Sequence, residues 1–332
     1  MNNYASPSVG VAGATGYAGR ELLRLLARHP RARVTTAMAS GGANGARPAA
    51  LARVWDGEIR AFDEAALAGC DVAFLALPEA ASAAVAPALV ARGVRVIDLS
   101  GAFRLCDADS RRRWYPETTE VPEGAVYGLP EVTGDALSRA TLVACAGCYP
   151  TAALLPLLPL VRADLIDRSQ GVVIDAKSGV SGAGKAPSER THFSECHGSV
   201  AAYGLFGHRH EPEMEQALGC DVTFVPHLVP LDRGILSTIY ARLREGVSAA
   251  DVAAALDSAY AGAPFVRLTH EDLPEIKHVA YTNFCDIGWR VDERARRVVL
   301  VSCIDNLLKG AAGQAVQVFN LAFGYDERLG LT

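Results

Sequence analysis

One stretch constrains this chain more than any other. An apolar run at Ser8–Ala12 breaks into glycines, Gly10-Val11-Ala12-Gly13-Ala14-Thr15-Gly16, with Gly19 three residues on. From Ala18 to Arg28, apolar residues then recur at 18, 22, 25 and 26, a helical spacing. Strand, glycine turn and amphipathic helix follow one another in the order that a dinucleotide site needs. Missing side chains let the backbone approach a pyrophosphate, whose charge sits at the N-terminus of the next helix. Glycines there also serve tight helix–strand packing, and the bare pattern is weak. Its context favours dinucleotide binding, with Gly10, Gly13, Ala14, Thr15, Gly16 and Tyr17 as the contacts.

The alternation continues. Arg33–Ala39 and Val94–Leu99 read as strands and Asp71–Leu77 as a near-continuous apolar strand, with an alanine-rich helix over Ala80–Arg92 between the last two. Strands alternating with helices imply βαβ units and a parallel sheet covered on both faces. The character changes near residue 148. Val172–Ala176, Asp221–His227, Ile235–Leu243 and Arg297–Ile304 read as strands with fewer helices between them, and Leu307–Phe323 reads as one terminal helix. The expected class is α/β: a Rossmann-type parallel-sheet domain plus an α+β catalytic domain on a mixed sheet. Residues 1–147 with 306–332 form the first and 148–305 the second, and 332 residues suit two domains of about 150 each.

Composition excludes several classes. Hydrophobic residues are 50% and charged residues 21%, which rules out wholesale disorder. The net charge is −5 and Arg111-Arg112-Arg113 is the one dense basic run, so no nucleic-acid partner is expected. The longest apolar run, Ala152–Val161, contains Pro156 and Pro159 and falls short of the ~20 residues of a membrane span. The first Lys or Arg is Arg20, and no apolar signal core follows a basic start, which argues against secretion. Eight cysteines in a chain this long read as cytoplasmic thiols rather than a disulfide scaffold.

The second strand ends at Ala39-Ser40-Gly41-Gly42 with no acidic residue to grip a ribose 2′-OH. That permits a 2′-phosphate and favours NADP over NAD. Arg47 is a possible phosphate partner and equally a solvated loop arginine.

Two turns carry the chemistry. Ala144-Cys145-Ala146-Gly147-Cys148-Tyr149-Pro150-Thr151 follows an apolar strand and opens an apolar helical stretch. Pro150 suits a first helical turn, which puts Cys148 near a helix N-terminus, where unpaired N–H groups stabilise a thiolate. Cys145-x-x-Cys148 also matches a redox or zinc half-site, but no second CxxC exists to complete a zinc site. Cys145 reads as a packing residue. Gly207-His208-Arg209-His210-Glu211-Pro212-Glu213 enters a helix over Pro212–Leu218. A nucleophilic cysteine needs a base, and histidine titrates near neutrality. A metal reading of the two histidines would need a third ligand, with Cys196-His197 the nearest candidate, and no metal is expected.

Other contacts are less specific. Lys177 to Lys185 is a Gly/Ser-rich loop that could bind anions through backbone N–H groups. Arg104 follows the C-terminal end of a parallel strand, where such sheets bind ligands. Asn306 is placed to cap the final helix or to bond a nicotinamide amide, two compatible roles.

With the glycine turn, Gly147-Cys148-Tyr149-Pro150-Thr151 and His208-Arg209-His210 together, the chain resembles the aspartate-semialdehyde dehydrogenase-like family, and within it the N-acetyl-γ-glutamyl-phosphate reductases. Leu75-Ala76-Leu77-Pro78, Tyr127-Gly128-Leu129-Pro130-Glu131, Ser178 to Gly184, Tyr281-Thr282-Asn283 and Asp305 to Gln317 extend the likeness over nearly the whole chain. The resemblance implies NADPH, a nucleophilic cysteine matched by Cys148, and a histidine acid/base matched by His210. It implies further cofactor contacts at Ser40, Pro78, Ser178, Gly179, Gly182 and Asn306. It implies substrate contacts at Arg104, Ser181 and His208. The reaction implied is reduction of N-acetyl-glutamyl 5-phosphate, a small-molecule acyl phosphate, to the 5-semialdehyde through a cysteine thioester, by a homo-oligomer that is a dimer or tetramer. The alternatives are the same chemistry on aspartyl phosphate or a carrier-linked aminoadipyl phosphate, a non-enzymatic NADP-binding sensor, or a zinc protein. Two positions depart from the family pattern. Ala102 stands where an Asp usually precedes the Phe-Arg pair, and Ser40-Gly41 stands where a Ser-Arg pair often follows the second strand.

Overall fold

A computed structural model of the chain describes residues 6–40, 45, 47–270 and 272–332. The chain divides into two compact units, Met1–Ala146 with Ala311–Thr332, and Gly147–Gly310.

The first unit is built on seven strands: β1 Ser8–Ala12, β2 Arg33–Ala39, β3 Ile59–Ala61, β4 Val72–Leu75, β5 Arg95–Asp98, β6 Ala125–Gly128 and β7 Leu142–Cys145. Their order is β3-β2-β1-β4-β5-β7-β6, and every pairing is parallel. All residues of β1, β4 and β7 are buried, as a parallel sheet covered on both faces demands. Winding reverses between β1 and β4, so the crevice at their carboxyl ends is where such a sheet binds ligands. The helix Gly313–Ala322 belongs to this unit and buries Phe319 against Phe74 with ring centroids 6.0 Å apart.

The second unit holds a mixed sheet: β8 Val172–Gly179, β9 Ala201–Ala202, β10 Val222–Val229, β11 Ile235–Arg242, β12 Val266–His270, β13 Cys285–Asp292 and β14 Arg297–Ile304. The order is β12-β13-β14-β11-β8-β10-β9, antiparallel except at β12–β13 and β8–β10. Alternate residues of β8, β10 and β11 are buried. The helices Cys148–Arg162 and Ala249–Tyr260 are the long helices of this unit. The Rossmann-type parallel sheet and the mixed sheet expected from the sequence are thus both present.

The terminal helix differs from expectation. In place of one helix over Leu307–Phe323, a π-helical turn spans Leu308–Ala312 and the α-helix begins at Gly313. Asp305 causes this. Its carbonyl accepts from Gly310 N at 2.9 Å, a five-residue closure, while its Oδ1 accepts from Leu307 N and Leu308 N. No helix among the described residues is long and apolar enough to cross a membrane.

Candidate active site

In the first unit, β1 runs into the glycine turn. Gly13 and Ala14 both donate their N–H to Met38 O at 2.9 Å. Gly13 has φ +86°, and a Cβ there would lie 2.0 Å from Ala76 O beyond β4; at Gly19 a Cβ would lie 2.2 Å from Gly13 O. These two glycines are fixed by packing. Gly16 differs: the nearest atom to a Cβ there is Gly13 O at 3.5 Å, an ordinary contact. Gly16 is the N-cap of the helix Tyr17–Leu26, which has no side-chain cap and no acidic residue in its first turn. Its leading N–H groups therefore present a positive end with room beside them, which fits a dinucleotide pyrophosphate.

Elsewhere in this unit, Ser40 is exposed at the end of β2, and Pro78 is the N-cap of the helix Glu79–Ala91. The departure at Gly41 lies outside the described residues. Arg47 pairs with Glu58 at 3.1 Å, both exposed. Arg60, which the sequence did not single out, lines a cavity of about 510 Å³ with Met38, Glu58, Phe62 and Asp63.

Arg104 is buried, and its Nε and Nη2 donate to Cys145 O and Leu99 O, each at 2.8 Å. Beside it lies fully buried Asp98, bonded by Ser82 Oγ and by both N and Oγ of Ser100. Burial pushes the Asp98 carboxyl up. Burial, with Asp98 nearby, also pushes the Cys145 thiol up to about 12. Ala102 is fully buried in the core there, packed with Phe103.

In the second unit, Cys148 is the first residue of the helix Cys148–Arg162. Gly147 is the N-cap, without a side-chain cap, and the first turn holds no acidic residue. The positive end of this helix favours negative charge on the half-buried Cys148 sulfur. Gly310 packs behind it, where a Cβ would lie 2.7 Å from Cys148 Cβ.

The histidine turn meets this helix. The Tyr149 ring lies edge-on to His208 and His210, with centroids 5.7 and 6.0 Å away, and the two imidazoles are 4.8 Å apart. His208 Nδ1 accepts from His210 N at 3.1 Å. Burial, with Arg209 alongside, pushes His208 down to about 4, so it is neutral near pH 7 and carries its proton on Nε2. Tyr149 and Tyr203 share a hydroxyl–hydroxyl bond of 3.1 Å, and burial pushes both phenols up. Glu213, given no role in the sequence reading, is 1% exposed and accepts from Gly147 N at 2.9 Å. The available signal was its place three residues after His210 on a helix.

A second group surrounds Asn306. Asn306 Nδ2 donates to Ser181 Oγ at 2.9 Å, and Asn306 Oδ1 accepts from Gly234 N at 2.8 Å. A Cβ at Gly182 would lie 2.9 Å from Ser178 Oγ and 3.7 Å from Asn306 Nδ2. Ser178, Ser181, Gly182 and Asn306 are therefore brought together, with Gly179 seated on the backbone of Arg233. The capping role expected of Asn306 is corrected: Asp305 takes the two leading N–H groups, because Asn306 is already committed to Gly234 and Ser181. Among the described residues, no three His, Cys, Asp or Glu side chains are placed to hold a metal ion.

Comparisons with known proteins agree with this geometry. Residues 8–140 match the family described as semialdehyde dehydrogenase, NAD binding domain, and residues 148–306 match semialdehyde dehydrogenase, dimerisation domain. An N-acetyl-gamma-glutamyl-phosphate reductase of Symbiobacterium thermophilum is 46% identical, with 97% of each chain covered. One from Geobacillus stearothermophilus is 45% identical over 98% of this chain and 97% of its own. Among solved structures, aspartate semialdehyde dehydrogenase II of Vibrio cholerae superposes with a TM-score of 0.74 at 20% identity, over 97% of this chain and 99% of that one. A probable aspartate-semialdehyde dehydrogenase of Pseudomonas aeruginosa gives 0.73 at 23%, over 95% and 98%. At these identities the solved structures speak for the fold.

Proposed function

The chain belongs to the semialdehyde dehydrogenase family, among its N-acetyl-γ-glutamyl-phosphate reductases, and from that premise we propose that it reduces N-acetyl-glutamyl 5-phosphate to N-acetyl-glutamate 5-semialdehyde with NADPH. The observation that carries this reading is Cys148 at the uncapped start of a helix whose next residue, Tyr149, lies against both histidines of the His208–His210 turn. The Cys148 sulfur attacks the acyl-phosphate carbonyl carbon. The carbon–oxygen bond to phosphate breaks, and a thioester remains on Cys148. His210 takes the thiol proton and passes it to the departing phosphate. NADPH, when bound, supplies the hydride that the thioester carbon accepts. The resulting alkoxide expels the Cys148 thiolate and leaves the aldehyde, so one proton is consumed overall. Neutral His208 is suited to donating its Nε2 proton to a substrate oxygen.

Gly10, Gly13, Ala14, Thr15, Gly16 and Tyr17 would hold the pyrophosphate, with Ser40 and Pro78 toward the rest of the cofactor. Ser178, Gly179, Gly182 and Asn306 would contact its nicotinamide end. Ser181 and Arg104 remain substrate candidates; Arg104 would act with Nε and Nη2 already fixed on carbonyls. NADPH over NADH is favoured by the missing acid after β2. In this reading residues 1–147 with 306–332 bind the dinucleotide and 148–305 carry the catalysis, in the cytoplasm. A homodimer is the proposed assembly. The match to a dimerisation domain supports it, as do Val173 and Tyr240, register partners that are 40% and 39% exposed on the mixed sheet.

Phosphate-dependent reduction of NADP⁺ by N-acetyl-glutamate 5-semialdehyde tests reaction and substrate together. Turnover that exceeds that with aspartate semialdehyde by at least about tenfold in kcat/KM is expected. Equal rates, or none, would overturn the assignment.

A further inference from the structure

We propose that Glu213 is a positioning residue for this reaction: its buried carboxylate holds the Gly147–Cys148 turn against the histidine turn and sets the proton balance at Cys148 and His210.

Glu213 is the third residue of the helix Glu211–Leu218, whose N-cap is His210. Its Oε1 accepts from Gly147 N at 2.9 Å, and both groups are buried. The helix that begins at Cys148 has no side-chain cap of its own. The acceptor at its entry is therefore supplied by a different element, the one that also carries the proposed base. The histidine side of the link is held by its own bonds. Met214 N donates to His210 O at 3.2 Å, Glu211 N to His208 O at 3.0 Å, and His210 N to His208 Nδ1 at 3.1 Å. One hydrogen bond thus ties the peptide just ahead of the nucleophile to the turn that bears His210. A misplacement of about 1 Å in such a pair costs roughly 10²-fold in rate.

The charge has a definite sign. A negative group beside two titrating groups favours the protonated form of both, so removing it moves both proton affinities down. Other groups facing this region include Tyr149 from the cysteine helix, Tyr203 ahead of the histidine turn with Arg190 over its ring, and His208, Arg209 and Glu211 within the turn. The phenols are pushed up and His208 down to about 4. None of these three changes charge near neutrality, so a shift there reports on Cys148 and His210.

The proposal rests on Cys148 as the nucleophile, and its test is read on the Cys148 thiol itself. The full-length protein is alkylated with iodoacetamide across pH, and the Cys148 peptide is quantified by mass. Glu213→Gln keeps the acceptor and removes the charge; its alkylation midpoint is expected to fall by about one pH unit. Glu213→Asp keeps the charge and withdraws the acceptor. Its midpoint should stay in place while kcat falls about tenfold or more and KM changes less than about twofold. A Glu213→Gln midpoint that coincides with wild type overturns the charge role. A Glu213→Asp kcat equal to wild type overturns the positioning role. Cys148→Ser that retains turnover would instead remove the nucleophile reading, a separate result.

Discussion

Replacing Gly310 by alanine tests whether Cys148 is held by its packing. The alanine Cβ would sit 2.7 Å from Cys148 Cβ, 3.2 Å from Cys148 Cα and 3.3 Å from Ile304 Cδ1. Carbon atoms rest about 3.5–4.0 Å apart, so roughly 1 Å of movement is needed. Ile304 lies at the end of β14 and is fully buried, and Gly310 N is fixed on Asp305 O at 2.9 Å. Neither side yields easily, and the start of the cysteine helix is the remaining direction. Overpacking of this kind costs about 1–3 kcal/mol. A sulfur displaced by about 1 Å loses roughly 10²-fold in rate. The measurement pairs kcat with NADPH affinity and a thermal melt. The expected result is a kcat loss near 10²-fold, unchanged cofactor affinity, and a cooperative melt a few degrees lower. Gly16→Ala supplies the contrast: its Cβ meets only an ordinary 3.5 Å contact, so the melt should stay and NADPH affinity should fall. A Gly310→Ala enzyme within about threefold of wild-type kcat would refute the idea that this contact sets the sulfur position.

Cys148→Ser should abolish hydride transfer while leaving NADP(H) binding intact, whereas Cys145→Ser should keep most activity; the reverse pattern in the same assay would exchange their roles. His210→Asn should lower kcat by about 10²–10⁴-fold, and a loss below about tenfold counts against its proton-transfer role. Burial pushes His208 down to about 4, so its neutral form is favoured in the folded state. Its contribution to stability is complete above its ordinary value near 6.5 and is lost as pH falls from there toward 4. Melting temperatures over that window should fall less steeply in His208→Gln than in wild type, and parallel curves would contradict the assignment.

How far the sequence could be read depended on what each segment buries. β1 and β4 are fully buried apolar runs in a sheet covered on both faces, and they stand out for that reason, while β2 and β5 follow from their alternation with helices. β13 was not foreseen, because Gly288 interrupts it and Asp286 inside it is buried against Arg267 Nε at 2.6 Å. β3, β9 and β12 are short edges with too few residues to show a period. In the candidate site, Cys148 and the two histidines stood out in the sequence because their residue types suit nucleophilic and proton-transfer chemistry. Glu213 was hidden, since a glutamate in the first turn of a helix usually faces solvent and serves the helix dipole. The capping by Asp305 in place of Asn306 was hidden for a related reason. Both types cap helices, and only the committed bonds of Asn306 to Gly234 and Ser181 decide between them.

The Cys-x-x-Cys spacing brings two thiols near one another in sequence, and the elements separate their chemistry. Cys145 ends β7, is 1% exposed and is pushed up to about 12, which leaves it a packing residue near neutrality. Cys148 begins a helix that is buried at every residue from Tyr149 to Leu160. A helix buried all round cannot tilt without disturbing the core of its unit. Its prolines fit this setting. Pro150 lies in the first turn, where no intrahelical N–H is lost, and Pro156 and Pro159 are held inside by packing. Thr151 Oγ1 and Thr151 N both bond Gly147 O at 2.8 Å, closing the entry turn. In the proposed mechanism, the apolar helical stretch that reads in the sequence from Cys148 onward also mounts the nucleophile. On that proposal, the packing of Tyr149 to Leu160 restrains the half-buried Cys148 sulfur through thioester formation and release.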